Sequence, residues 1–357
     1  MNNSKFAFPK GFIIIIAMIL VFGLGCTLSF AADGVKAIDP PNQIIVQQTS
    51  YPLIEGVTET KLFLNNPDGN RQVAAFMTTI EPDAKAELKA SYPGYYAKNS
   101  TPASRANWDK KWTLARTTDQ VKAYEEATGE TVIMATNGDY FNMQTGQPLG
   151  YLIMEGNAFQ TTQYTREPYF ALLRDGSYVI RDSNVPADDV VEGISGPFYL
   201  VQNGEVVDSL EDYDLNANEV RNSVGLKADG TVVLFMADGR QAPYSVGMSY
   251  RMMAEFLKAQ GCVTALYLDG GGSATVVSRH ERETDLAIRN RPSDGVERLV
   301  ADTLLLVSTE SGTSSAFDHA SLSPVNEYYT PGSTVSFTAS GVSATSRAAN
   351  LPETGLA

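Results

Sequence analysis

Apolar residues along this chain follow two spacings, and each spacing predicts a different element. In "TDQVKAYEEATG", Thr118 to Gly129, and "SYRMMAEFLKAQG", Ser249 to Gly261, they recur every three or four positions, the mark of a helix with one buried face. The first helix is expected to open at Thr118 or Asp119 and the second at Ser249, with Gly129 and Gly261 closing them. In "ETVIMAT", "CVTALYL" and "LVADTLLLV" the apolar residues are contiguous, which reads as buried strands. "NGE" at Asn203 and "ADGT" at Asp229 are hairpin turns between β-branched runs. A two-residue turn at Asp229-Gly230 pairs Ala228 with Thr231 and, carried along the register, sets Arg221 opposite Asp238, with Arg240 close by. A plain cross-strand ion pair would explain that juxtaposition equally well. The mixture predicts an α+β fold: mixed, largely antiparallel sheets flanked by helices, followed by a short β-like C-terminal segment.

Both helices have the same sequel. Seven residues separate Gly129 from Asn137-Gly138, and seven separate Gly261 from Asp269-Gly270. If the two strands share a sheet and a direction, Asn137-Gly138-Asp139 and Asp269-Gly270-Gly271-Gly272 emerge at one edge, where sites are built. A turn needs one or two glycines, yet "ALYLDGGGSATVV" has three in succession behind an acid. Three glycines and Ser273 offer backbone N–H groups and a hydroxyl to a phosphate. Asp269 ahead of them suits an acid, a base, a nucleophile or a cation ligand. The structural alternative is a wide turn closed by an Asx-type bond from Asp269.

Composition sets the outer limits. With 357 residues, 43% of them hydrophobic, the chain buries a sizeable core. Lys5, Lys10, the apolar run after them, and Ser29 and Ala31 read as a signal peptide over residues 1–31, so the protein is expected to be secreted or otherwise extracytoplasmic, with membrane contact only through that segment if it stays uncleaved. Cys262 is then the one cysteine left. Residues 32–50 read as a linker, 51–308 as the main domain, and 309–357 as a β-like or flexible tail that suits the start of an Ig-like module, "GSTVSFTAS" alternating within it. The tail carries LPETG at Leu351 to Gly355, without the apolar and basic stretch that wall anchoring needs behind it, so a chance match or a longer parent chain explains the motif.

A net charge of −14 without a basic stripe argues against nucleic acid, and an anionic substrate would need local arginines. Only His280 and His319 exist, neither in a motif, which removes the Ser-His-Asp triad and the His-rich metal centre. A hydrolase built from this chain works with carboxylates, arginines and backbone amides.

"TNGDYFN", "VRNSVGLKADGTVVLFMADGR", "GMSYRMMAEFLKAQGCVTALYLDGGGSATVV" and "NRPSDGVERLVADTLLLV" stand in the order and spacing of the phosphodiester glycosidase family, which the chain resembles from about Tyr51 to Val307. The resemblance implies a site made from Asn137 and Gly138, Arg221, Asp238, Arg240, Asp269 to Ser273 (Gly270, Gly271 and Gly272 between them), and Arg291 or Arg298. This chain has Asp139 and Tyr140 where that family often has a small residue and a Phe, and Asp302 where Asn is common. The implied activity is hydrolysis of a glycosyl-1-phosphodiester of the N-acetylglucosamine type, on a polymeric or surface-attached substrate such as an exopolysaccharide.

The chemistry fits the composition. A phosphate ester leaves readily once its charge is neutralised, by Arg221, Arg240 and the glycine loop, while a carboxylate supports the oxocarbenium-like centre. Asp269 is the expected catalytic carboxylate, with Asp139 or Asp238 as the second. No cofactor is expected to be required. Two other readings stand beside this one. A non-catalytic carbohydrate-binding protein would stack sugars on Trp108, Trp112, Tyr140, Phe141 or Tyr164, and a cation-dependent phosphodiesterase would gather calcium or magnesium on Asp139, Asp238 and Asp269.

Overall fold

The computed structural model describes residues 44–65, 71–161, 168–185, 187–208, 210, 217–310, 316–323 and 332–352. The signal segment, the first part of the expected linker, Tyr164 and the end of the LPETG motif lie outside them.

Three antiparallel sheets make up the main body. The largest has eight strands in the spatial order Ile44–Ile54, Val57–Asn65, Gln72–Ile80, Val232–Ala237, Arg221–Lys227, Cys262–Leu268, Tyr199–Gln202 and Glu205–Val206. A middle sheet runs Ala287–Ile288, Val276–Ser278, Val132–Asn137, Thr303–Ser308 and Ala86–Ser91. A side sheet runs Asn157–Gln160, Leu152–Met154, Val190–Ser195, Pro168–Leu173 and Tyr178–Asp182. One apolar cluster joins all three, drawing Phe76, Leu234 and Leu266 from the large sheet, Ile133 and Leu305 from the middle one, and Phe170 and Ile194 from the side sheet.

The contiguous apolar runs follow from this layering. In Val232–Ala237, Leu234 and Met236 face that shared core, while Val233 and Phe235 face a second cluster under the helix Tyr250–Ala259. A strand covered on both faces has no wet position to alternate with. Phe235 stacks on Phe256 of that helix at 4.5 Å, so truncating either ring would cost about 3–5 kcal/mol.

Several expectations change. The fold is mostly antiparallel β; among the described residues the helices are Pro102–Ala106, Thr117–Thr128 and Tyr250–Ala259, too few to flank the sheets. Ser249 caps the last of these, accepting from Met252 N. The helix Thr117–Thr128 has no side-chain cap of its own, because the Glu297 carboxylate accepts from Thr118 N at 2.9 Å and from its hydroxyl at 2.7 Å. The first strand begins at Ile44, inside the stretch read as a linker. Strands Val132–Asn137 and Cys262–Leu268 lie in different sheets, yet their ends meet where Asp269 N donates to Gly138 O at 2.9 Å.

The register at Asp229-Gly230 is also corrected. Leu226 pairs with Val232 and Arg221 with Ala237, because Lys227 N bonds Thr231 O and the turn holds one residue more than a two-residue loop. Asp238 therefore does not face Arg221. Beyond the main body, His319–Ser323, Thr338–Val342 and Ala348–Ala349 form a small sheet of their own, in line with the β-like C-terminal segment.

Candidate active site

The ends of the two central sheets converge on the loop Asp269–Ser273. Asn137, 1% exposed, is its anchor: Nδ2 donates to Asp269 O at 2.7 Å, and Oδ1 accepts from Thr275 N at 3.1 Å. Asn222 completes the joint, donating to Asn137 O at 3.0 Å and Asn137 Oδ1 at 3.2 Å. One amide thus ties the loop to the middle sheet and another ties that to the large sheet. Asn222 is not among the residues that the sequence motifs single out, although its place beside Arg221 in a strand of mostly apolar and small residues is a usable signal.

Each glycine of the loop has a physical cause. A Cβ at Gly270 would collide with the Tyr267 hydroxyl and Val220 O, and one at Gly272 with Arg298 and Asp294. Gly271 has φ +57°, in the left-handed region. The expected cradle of free amides is smaller than the sequence suggests. Gly271 N donates to Val220 O at 3.0 Å, Ser273 N to Gly270 O at 3.2 Å, and Gly270 N to the Asp269 carboxylate. Phosphate recognition would therefore fall chiefly on side chains.

Asp269 is the one residue among Asp139, Asp238, Asp269 and Asp302 that is not fully buried. Burial pushes it up to about 6, opposed by the Ser273 hydroxyl, the Arg298 charge and the Gly270 amide. The Ser273 hydroxyl donates to Asp269 and accepts from Arg298 Nη1 at 3.3 Å, while Arg298 Nε is held by Asp294 Oδ2 at 2.8 Å. Asp294, Arg298, Ser273 and Asp269 form a relay that fixes the carboxylate's direction.

The remaining arginines differ in their placement. Arg240 has its guanidinium over Gly271, 3.6 Å from where a Cβ would stand, and is paired with Glu219. The exposed Arg291 stacks on Tyr244 at 3.8 Å. Arg221 is buried, with Nε on Met248 O at 3.0 Å, Nη2 on Ala217 O at 3.0 Å, and its guanidinium 3.6 Å from the Tyr250 ring centre. Tyr250 and Tyr267 pack edge to face beneath Tyr140, whose hydroxyl is raised by burial and by these neighbours, Asp269 included. Trp108 and Trp112 are partly buried and pack on Tyr92 at the margin of the shared core.

The other acids face inward. Asp139 closes its own loop, accepting from Tyr140 N at 2.7 Å and Gly150 N at 2.9 Å. Asp238 is 0% exposed and accepts from Asn290 Nδ2 at 3.0 Å, Tyr244 Oη at 3.0 Å and Arg291 N at 2.8 Å. Its pKa is raised by burial in spite of those three donors. Asp302 Oδ1 accepts from Asp139 N at 2.8 Å, and Oδ2 is buried without a partner among the described residues. Burial, with the Asp269 charge adding to it, favours the protonated form of Asp302. Among the described residues no three His, Cys, Asp or Glu side chains gather into a metal-binding group.

The phosphodiester glycosidase family model matches residues 130–307. That segment belongs to the phosphodiester glycosidase family. The N-acetylglucosamine-1-phosphodiester alpha-N-acetylglucosaminidase of Mus musculus is 32% identical over 163 residues, 40% of this chain and 31% of that protein. The Homo sapiens counterpart is 30% identical over 175 residues, 43% of this chain and 33% of that protein. The chain thus spans about a third of the length of these curated relatives. The zebrafish enzyme's catalytic domain superposes with a TM-score of 0.54 at 22% identity, covering 74% of this chain and 88% of that domain, which shows a shared fold. Every site residue from Asn137 to Asp302 lies inside the family segment, whereas the strands from Ile44 to Ser91, which complete both central sheets, precede it.

Proposed function

We propose that the chain hydrolyses a glycosyl-1-phosphodiester at the bond between the anomeric carbon and the phosphate oxygen, with a sugar of the N-acetylglucosamine type. The observation that supports this most is the relay ending at Asp269, a carboxylate steered by Ser273 and Arg298, with the Arg240 guanidinium over the neighbouring Gly271. Arginines neutralise the departing phosphate monoester, which takes the bonding electron pair and needs no proton from the protein. Asp269, ionised above about pH 6, either attacks the anomeric carbon or takes a proton from the water that does. Asp139 and Asp238, whose oxygens already accept protein donors, brace the loops around it, and Tyr140 supplies an apolar face for the sugar.

On this reading no cofactor is required, and the enzyme acts outside the cytoplasm on a polymer or surface glycoconjugate. The experiment is release of free sugar from a synthetic N-acetylglucosamine-α-1-phosphate diester, with Asp269→Asn, a chelator arm and a calcium or magnesium arm in parallel. Turnover that survives chelation and is lost in a folded Asp269→Asn variant supports the proposal. Binding without turnover under every condition would replace it with a carbohydrate-binding role, and turnover restored only by a cation would replace it with a metal-dependent one.

A further inference from the structure

The C-terminal sheet joins the main body along the loop that follows Val276–Ser278. Arg282 N donates to Ser346 O at 2.7 Å, and the Ser346 hydroxyl donates to Leu53 O. The turn between the last two strands is pushed inward, leaving Ser343, Thr345 and Ser346 each 1% exposed. Hydroxyl groups and an arginine are not what an apolar contact selects.

That turn brings Arg347 up to Arg279, which is 2% exposed. The Arg279 pKa is lowered first by burial; Glu125 opposes the shift, Arg347 adds to it through like charge, and Asp285 opposes it at longer range. Glu125 touches only Nη2 of Arg279, at 3.2 Å, and also accepts Val132 N at 3.0 Å. Nε and Nη1 of Arg279 and Nε of Arg347 are buried with no partner among the described residues. Each stranded donor costs about 1–3 kcal/mol, and more when charged, and the buried Arg279 is repelled by the half-buried Arg347. A multidentate anion removes both penalties at once, since its oxygens accept the bare N–H groups and its charge offsets the guanidinium pair.

We propose that Arg279 and Arg347 clasp a small oxyanion of the phosphate type at the seam between the family segment and the C-terminal sheet. The site lies at the far end of the strand Val276–Ser278 from Asp269 and does not depend on the hydrolytic reading. Its effect is structural: the anion fastens the C-terminal sheet, so occupancy raises the stability of the whole chain and protects that sheet from proteases.

The test compares thermal midpoints and proteolytic survival of the C-terminal sheet in inorganic phosphate and in sodium chloride of equal ionic strength. The full chain and an Arg240→Gln/Arg298→Gln double variant are both expected to gain a few degrees in phosphate, saturably, which separates this site from the arginines around Asp269. Arg347→Gln is expected to lose that gain and to release the C-terminal sheet to proteolysis; Arg279→Gln should do the same, and Arg347→Gln carries the test if Arg279→Gln fails to fold. The proposal is overturned if the parent shows no gain, if Arg347→Gln keeps it, or if Arg347→Gln is more stable than the parent in both salts, the sign of two cations with nothing between them.

Discussion

Asp238-Gly239 and Asp269-Gly270 end two strands of the large sheet that flank the same neighbour, Arg221–Lys227. As sequence they are near equivalents, an acid and a glycine after an apolar run. In the fold they are opposites. Asp238 is sealed, its two oxygens taking donors from Asn290, Tyr244 and Arg291. Asp269 reaches solvent, and its main side-chain donor, Ser273, is itself fed by Arg298. A carboxylate whose oxygens are filled by loop donors holds loops together, whereas one aimed from a single side is available for chemistry.

The largest effect that sharpens this contrast is on rate. Asp269→Asn is expected to lower kcat/KM by about a thousandfold or more while leaving the unfolding midpoint near that of the parent. Asp238→Ala should do the reverse in kind: it strands three donors, each worth about 1–3 kcal/mol, so a urea titration should show a large loss of stability before any kinetic comparison is meaningful. Gly272→Ala comes next. Its methyl would displace the Arg298–Asp294 pair, loosening Ser273 and Asp269, and a loss of about tenfold to a hundredfold in kcat with an unchanged fold by circular dichroism is the expected outcome.

A smaller effect concerns pH. If the ionised form of Asp269 is the working one, kcat/KM rises with pH through about 6 and levels above it. Asp302→Asn should leave that limb in place, because Asp302, held up to about 7, is already neutral when Asp269 ionises at about 6. The same substitution tests linkage. Asp302 binds its proton more tightly folded than unfolded, so its contribution to stability is present at low pH and is lost as pH rises toward the folded pKa. Asp302→Asn is therefore expected to be more stable than the parent at about pH 8, by about 1–3 kcal/mol, with the gap narrowing as pH falls below about 7 and closing only at about pH 4. Equal stability at pH 8 and at about pH 4 would mean that the buried oxygen has a partner after all.

Much of this was legible in the residues and some was not. Capped helices at Ser249–Gly261, the buried runs, and the meeting of Asn137 with Asp269 follow from local pattern. The sheet assignment did not, since a run buried on both faces reads alike in one sheet or two. The Arg221 register failed because a turn holding one extra residue shifts every partner by one. Glu297 as the cap of a distant helix, and Asn222 as the joint between sheets, are long-range bonds that no local spacing announces. The run of three glycines reads as a phosphate loop, yet two of them make room for Tyr267 and Arg298 instead.

The most direct measurement is sugar release from the N-acetylglucosamine-α-1-phosphate diester by parent, Asp269→Asn and Asp238→Asn, each normalised to folded protein. The account predicts turnover by the parent, none by Asp269→Asn, and turnover within about tenfold of the parent by the folded fraction of Asp238→Asn. Abolition by Asp238→Asn with Asp269→Asn still active would contradict it, and would move the chemistry to the acid that the structure seals.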